Sequence, residues 1–125
     1  MPAPAFRGWR RLCPAFYSGL AARGDKAPEK AAGYLAERPA KFFGLWPKKG
    51  SLTVGADADL MILEERSFVY DARNAHDDLN WSPFDGTTFS VRIAATFLRG
   101  RPVYDGSAIV GKPGFGRFLP RQAAG

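Results

Sequence analysis

Cysteine, histidine and long apolar runs are nearly absent from this chain. The 125 residues contain one cysteine, Cys13, and one histidine, His76. A single cysteine excludes an intrachain disulfide and favours a reducing, cytoplasmic location. No apolar run reaches the roughly 18 residues that a membrane span requires, and Met1–Pro14 lacks the apolar core of a signal peptide. We therefore predict a soluble cytoplasmic polypeptide with no membrane partner.

Positive charge is dispersed along the chain rather than gathered in one stripe. The formal net charge is +6, but the basic residues occur near both ends, at a central turn and elsewhere along the chain, with acidic residues between them. Nucleic-acid binding proteins concentrate lysine and arginine on one face, often with interleaved aromatic residues. We therefore predict no nucleic-acid partner. The hydrophobic fraction of 46% is enough to bury the core of one modest domain.

The first half of the sequence has a helical pattern that proline interrupts. From Asp25 to Leu45 the apolar residues recur at helical spacing, and Asp25 is a plausible N-cap. A residue that precedes proline avoids the α region, so we expect one helix to end at Arg38. Pro39 should then open a second short helix, which Gly44 closes.

The second half has the alternation of β-strands. Leu60–Leu63 reads as a short buried strand, and Ser67–Tyr70 can form another. Asp71–Gly86 is polar and rich in turn residues, which predicts a long surface loop. Phe89–Leu98 gives the clearest strand of the sequence. A turn at Gly100–Pro102, a returning strand at Val103 and Tyr104, and a turn at Asp105-Gly106 should follow it as a meander.

This inventory predicts a mixed α+β fold in which short helices precede strands. Four or five strands after two helices make an incomplete layer with an unpaired edge, because nothing in the sequence supplies a second sheet. We also find no internal repeat that could complete the layer by duplication. We therefore expect Leu60–Leu63 and Phe89–Leu98 to lie in one sheet of an incomplete β-sandwich.

Residues with catalytic chemistry are few and lack suitable neighbours. Cys13 has arginines rather than a base beside it, so thiol catalysis is not expected. Asp77 and Asp78 read as solvated loop acids, and His76 alone cannot form a metal site. The glycines of Gly111–Gly116 lack the following helix of a phosphate-binding loop. We assign no catalytic, metal-binding or cofactor-binding residue to this chain.

Five motifs resemble the C-terminal region of the amidohydrolase superfamily. Arg38–Leu45 and Lys49–Leu60 resemble the junction at which the last helix of the barrel leads into the small β-sandwich domain. Ser82–Gly86, Leu98–Tyr104 and Gly111–Leu119 resemble the branch that contains hydantoinase, dihydropyrimidinase, allantoinase and dihydroorotase. The Gly-x-Asp-Ala-Asp stretch within the second motif is interpreted as a structural turn, not as a catalytic site.

The resemblance implies a function that this chain cannot perform alone. Enzymes of this branch hydrolyse carbon–nitrogen bonds of cyclic amides or ureides at a binuclear metal centre, usually zinc. Its ligands are four histidines, a carboxylated lysine and an aspartate on barrel strands upstream of this region. We therefore expect an inactive C-terminal fragment that holds no cofactor itself. The alternative is a non-catalytic module that associates with an intact amidohydrolase subunit or forms a homo-oligomer.

The resemblance also divides the chain into four regions. Residues 14–46 correspond to the helical end of a truncated barrel, residues 47–110 to strands of the small β-sandwich, and residues 111–125 to an extended tail. Residues 1–13 fall outside the resemblance, where family members have a loop of the type Gly-x-Pro-Gly-Val-Glu-Thr. The genetic code permits a choice of codons for these residues that encodes such a loop in another frame. We therefore expect a poorly packed leader produced by a frame change near Pro14.

Overall fold

A computed structural model describes residues 9–74 and 80–121. It contains helices α1 (Trp9–Ala22), α2 (Ala27–Ala32) and α3 (Arg38–Phe42), with a π-helical segment, Gly33–Glu37, between α2 and α3. Five strands follow: β1 (Leu60–Glu64), β2 (Phe68–Val69), β3 (Thr88–Phe89), β4 (Arg92–Leu98) and β5 (Arg101–Tyr104). A short 3-10 helix, Ala72–Asn74, lies between β2 and β3. The predicted mixed α+β class, with short helices before strands, is confirmed.

The described residues form two compact units. The first contains the residues up to Ala27 and those from Glu64 to Arg92, and the second contains Pro28–Leu63 and the residues from Ile93 onward. In the first unit, β2 pairs antiparallel with β3, with Phe68 opposite Phe89. Tyr70, Ala72 and Phe89 form its buried core.

The predicted end of a helix at Arg38 is wrong. Arg38 has φ −63° and ψ −44°, so it remains in the α region although Pro39 follows it. Its N–H donates to the carbonyl of Gly33, five residues earlier, which is the spacing of a π turn. The wider turn tolerates the proline because the ring of Pro39 no longer meets a carbonyl in the regular position four residues back.

The predicted end at Gly44 is confirmed. Gly44 has φ +67°, and its N–H donates to the carbonyl of Lys41 over 3.2 Å. The N–H of Leu45 donates to the carbonyl of Ala40 over 2.8 Å. These two bonds form a Schellman motif, in which a glycine in the left-handed region closes a helix. The start of α2 is later than predicted, at Ala27, with Glu29 in its first turn.

Two expectations for the strands are confirmed and two are wrong. β1 and β4 are neighbours in a sheet of order β1-β4-β5, and β5 returns antiparallel to β4. The strand Leu60–Leu63 is not buried, because Met61 and Ile62 are each almost half exposed. Phe89–Leu98 is not one strand either. The chain leaves the extended path at Ser90, whose backbone N–H donates to Ser18 Oγ of α1 over 2.8 Å.

The first described helix crosses the boundary between the predicted leader and the rest of the chain. α1 begins at Trp9, and both Cys13 and Pro14 are buried. Residues 1–8 of the leader lie outside the described residues, so its packing stays a prediction. At the other end, residues 111–121 form neither helix nor strand.

Candidate functional site

Two lysines and two aspartates form the densest group of charges in the second unit. Lys48 Nζ lies 2.8 Å from Asp57 Oδ1, and Lys49 Nζ lies 2.9 Å from Asp57 Oδ2. Lys49 also pairs with Asp59. We call Lys48, Lys49, Asp57 and Asp59 the lysine–aspartate cluster. The two aspartates belong to the Gly-x-Asp-Ala-Asp stretch, and the cluster neutralises both of them.

The lysine–aspartate cluster joins the turn before β1 to the turn between β4 and β5. Asp59 Oδ1 accepts the backbone N–H of Arg99 over 2.8 Å, and the carbonyl of Ala58 accepts the N–H of Gly100 over 2.9 Å. On the other side, the carbonyl of Lys48 accepts the N–H of Asp57. A carboxylate that satisfies backbone donors and ammonium groups positions two turns, which supports the structural interpretation of this motif.

Electrostatics make Asp57 unsuitable as a general base. Hydrogen bonds from Lys48 and Lys49 lower the pKa of Asp57 to about 2. A general base works best when its pKa lies near the working pH. The pKa of Lys49 is raised, because its bonds to Asp59 and Asp57 outweigh the opposing effect of desolvation. Asp57 and Lys49 are therefore both charged at neutral pH.

Stability should fall in acid through Asp57. Its pKa is lowered on folding, so its contribution to the free energy of unfolding is complete above the ordinary aspartate pKa of about 3.9 and declines as the pH falls toward 2. We expect Asp57→Asn to be less stable than the parent chain at pH 6 and nearly equal to it at pH 2.

Urea unfolding of both chains between pH 6 and pH 2 measures this difference. Glu29→Gln, which removes an exposed carboxylate, is the control. Its free energy of unfolding should differ only slightly from that of the parent chain. A difference between Asp57→Asn and the parent that stays constant down to pH 2 would contradict the assignment.

A shallow groove lies beside the lysine–aspartate cluster. It has a volume of about 280 Å³ and is lined by apolar residues of the π segment and α3 together with Lys49, Gly50 and Asp59. Its two charged residues are already paired with each other. Binding sites for small molecules combine an enclosed apolar cavity with polar groups that converge on the ligand. This groove offers no unpaired polar side chain that would hold or activate a substrate.

Cys13 is placed where a thiol is unreactive. Its side chain is 5% exposed, and burial raises its pKa. The thiolate is the nucleophilic form, so a raised pKa lowers reactivity at neutral pH. The structure thus places no activated thiol at this position.

Cys13 should react slowly with a thiol reagent in the folded chain. We expect the rate with 5,5′-dithiobis(2-nitrobenzoate) at pH 7.5 to rise by about a hundredfold in 6 M urea, because unfolding exposes the thiol. Reduced glutathione in the same two buffers corrects for the effect of urea on the chemistry. Equal corrected rates with and without urea would show that Cys13 is accessible in the native state.

The structure does not describe the residues that were considered for a metal site. His76, Asp77 and Asp78 lie outside the described residues. Within residues 9–74 and 80–121, no group of three or more histidine, cysteine, aspartate or glutamate side chains is placed to hold a metal ion. The same part of the chain contains no helix that is long and apolar enough to cross a membrane.

Sequence reasoning missed a contact between two arginines and one aromatic ring. The Cζ atoms of Arg99 and Arg101 lie 4.4 Å and 5.3 Å from the centroid of the Phe115 ring. Arg99 Nη2 also donates to the carbonyl of Phe115. Phe115 lies in the glycine-rich tail, and its need for a partner was a signal in the sequence. The identity of that partner depends on how the tail folds back on the β4–β5 turn.

Comparison with known proteins identifies the family of this fold and its motifs. The profile of the Amidohydrolase family matches residues 15–103. D-phenylhydantoinase of Escherichia coli strain ED1a is 38% identical over 108 residues, which make up 86% of this chain and 23% of that protein. The chain therefore spans about a quarter of the length of the curated relatives that it matches.

Solved structures give the same result. An L-hydantoinase (dihydropyrimidinase) from Arthrobacter aurescens superposes with a TM-score of 0.80 at 34% identity, covering 86% of this chain and 24% of that chain. A D-hydantoinase superposes with a TM-score of 0.83 at 28% identity, covering 90% of this chain and 24% of that chain. The fold of this segment is thus the fold of the matching quarter of those enzymes.

Proposed function

The chain belongs to the amidohydrolase family, and we propose that it corresponds to the C-terminal portion of a metal-dependent hydrolase that cleaves carbon–nitrogen bonds in cyclic amides or ureides. The observation that carries the proposal is the match of 86% of this chain to 23% of a D-phenylhydantoinase, at 38% identity. Cyclic amides with a hydantoin or dihydropyrimidine ring are the substrate class that we favour. Allantoin is an alternative of the same chemical class, and dihydroorotate is less favoured.

Members of this family are generally metal-dependent, but the residues of this chain do not fit a binuclear centre. The whole sequence contains one histidine, His76, and the described carboxylates of Asp57 and Asp59 are paired with lysines. Two metal ions that activate a water molecule require several nitrogen and oxygen ligands that point at one place. We therefore derive no catalytic step from this chain and propose that the 125-residue polypeptide alone is inactive.

The proposed contribution of this segment is structural. The lysine–aspartate cluster and the Schellman motif at Gly44 fix how the chain passes from α3 to β1. In a complete hydrolase, these features would connect a barrel to the small domain. The cytoplasm is the compartment that we propose, because one cysteine cannot form an intrachain disulfide.

A chimeric enzyme tests the proposed function. Residues 14–121 of this chain would replace the matching segment of E. coli D-phenylhydantoinase, and hydantoin hydrolysis would be compared with that of the intact parent. We expect turnover within about tenfold of the parent, because the metal centre and the substrate loops come from the parent. A folded chimera that retains its metal but has no turnover would contradict the proposal.

The isolated chain provides the complementary measurement. After incubation with excess zinc or manganese and removal of free metal, we expect fewer than two retained ions per chain and no hydrolysis of hydantoin, dihydrouracil or allantoin. One weakly held ion is compatible with His76 as a lone ligand. Two tightly held ions with turnover would overturn the proposal that the polypeptide is inactive alone.

A second candidate function is association with an intact amidohydrolase or with another copy of this chain. The observation that favours it is the exposure of large apolar side chains in the second unit, among them Leu52, which is 85% exposed, and Val54. Contiguous exposed apolar surface is typical of interaction sites. Sedimentation of the purified chain, alone and mixed with intact D-phenylhydantoinase, tests this function. An association module should sediment as an oligomer of this chain or in a complex with the intact enzyme. If this chain sediments as a monomer in both samples, this alternative is eliminated.

A further inference from the structure

Arg99 and Arg101 form a compact group with Phe115 in the second unit, and we call these two arginines the arginine pair. Both guanidinium carbons lie within 5.3 Å of the centroid of the same ring. Arg99 belongs to the tight turn between β4 and β5, and Arg101 is the first residue of β5. One hairpin therefore carries both arginines, and both guanidinium groups lie over the same aromatic ring.

No described carboxylate neutralises the arginine pair. Within residues 9–74 and 80–121, neither Arg99 nor Arg101 forms an ion pair. From Ile93 to Arg121 the only acidic residue is Asp105, and its carboxylate accepts the backbone N–H groups of Ser107 and Ala108 in its own turn. The same stretch also contains Lys112 and Arg117, so positive charge is in clear excess.

The backbone at Arg99 holds this arrangement in place. Arg99 has φ +49°, in the left-handed region that residues with a Cβ atom adopt at a cost. Gly100, with φ +77°, completes the two-residue hairpin turn. The carboxylate of Asp59 accepts the Arg99 N–H, so the turn is anchored while the guanidinium extends to Phe115. The position of one guanidinium is thus set before any ligand binds.

The geometry points to a binding site for a phosphate dianion at the guanidinium groups of Arg99 and Arg101, beside the Phe115 ring. A dianion balances two fixed cations, and the guanidinium fork matches phosphate oxygens. Arg99 uses one N–H on the Phe115 carbonyl and keeps other donors for a ligand.

Isothermal titration of the full chain with inorganic phosphate at low ionic strength tests this site. We expect one phosphate per chain, and we expect Arg101→Gln to weaken binding about tenfold, because it removes one charge-assisted donor group. Arg23→Gln is the matched control: it removes the same charge from an exposed side chain of the first unit and should leave the affinity unchanged. Arg101→Lys should give an intermediate affinity, since it keeps the charge and loses the fork.

Thermal melting of each variant shows whether it folds as the parent does, so that a loss of binding can be assigned to the site. A parallel measurement with vesicles containing phosphatidate distinguishes a lipid head group from free phosphate, and Arg101-dependent binding in either arm supports the site. Absence of binding to both probes by the folded parent would overturn it. Equal weakening by Arg101→Gln and Arg23→Gln would also overturn it, because it would show only a general attraction to positive charge.

Discussion

Replacing Phe89 by alanine is expected to destabilise the chain by about 3–5 kcal/mol, the usual cost of removing a buried phenylalanine side chain. Phe89 is 2% exposed. Its ring centroid lies 5.8 Å from that of Phe68, 6.1 Å from that of Tyr70 and 6.0 Å from that of Phe84. The variant loses apolar burial and three aromatic contacts, and it leaves a cavity at the centre of the first unit.

Urea unfolding followed by circular dichroism measures this effect. Phe118→Ala is the matched control, because the same side chain is 91% exposed at that position and should change the free energy of unfolding by less than about 0.5 kcal/mol. A loss below 1 kcal/mol at Phe89 would show that this cluster is not the core of its unit. A comparable loss at Phe118 would show that the tail packs in solution.

Gly50→Ala is expected to destabilise the second unit by about 3 kcal/mol, from strain in the backbone together with overpacking. Gly50 has φ +76°, and a Cβ atom there would lie 2.6 Å from the carbonyl oxygen of Ala36 and 2.6 Å from Cβ of Ala40. Both neighbours belong to the helical segment, and one of them is backbone, so neither can move aside easily. The close approach of the 47–50 turn to this helix therefore requires glycine.

Gly55→Ala separates the two components of that cost. Gly55 also has a positive φ, +95°, but a Cβ atom there would meet nothing within 4 Å. We expect only the conformational part, about 1–2 kcal/mol, to appear in its unfolding curve. Equal losses for the two variants would mean that the contact with Ala36 and Ala40 opens in solution, and the steric argument for Gly50 would then be wrong.

Both substitutions act on folding, and this distinguishes them from changes at an active site. In the chimeric hydrolase, Phe89→Ala and Gly50→Ala should lower the yield of folded enzyme and its melting temperature, while the turnover of the folded fraction changes little. This result is expected because neither residue belongs to the ligand set of a metal centre. A fall in turnover without loss of stability would place one of them near the chemistry.

The helical region shows where local sequence rules hold and where tertiary packing overrides them. The end at Gly44 was predictable, because a glycine in the left-handed region closes a helix through backbone geometry alone. The path through Pro39 was not predictable, because a helix can keep its direction across a proline by inserting a π turn. The rule for residues before proline describes an average conformational cost. At Arg38 the stability of the continuous helix from Ala27 to Phe42 outweighs that cost.

The sequence by itself determined the class of the fold, the family resemblance of about Pro14–Arg121 and the scarcity of metal ligands, because these depend on residue types and local spacing. Only the tertiary structure decided where Phe89–Leu98 breaks, since the bonds between Ser90 and Ser18 join residues 72 positions apart. It also decided that Asp57 and Asp59 are neutralised by lysines and that Arg99 and Arg101 meet at Phe115. Alternation along a strand sets the face on which a side chain lies, but the partner on that face comes from chain segments that only folding brings together.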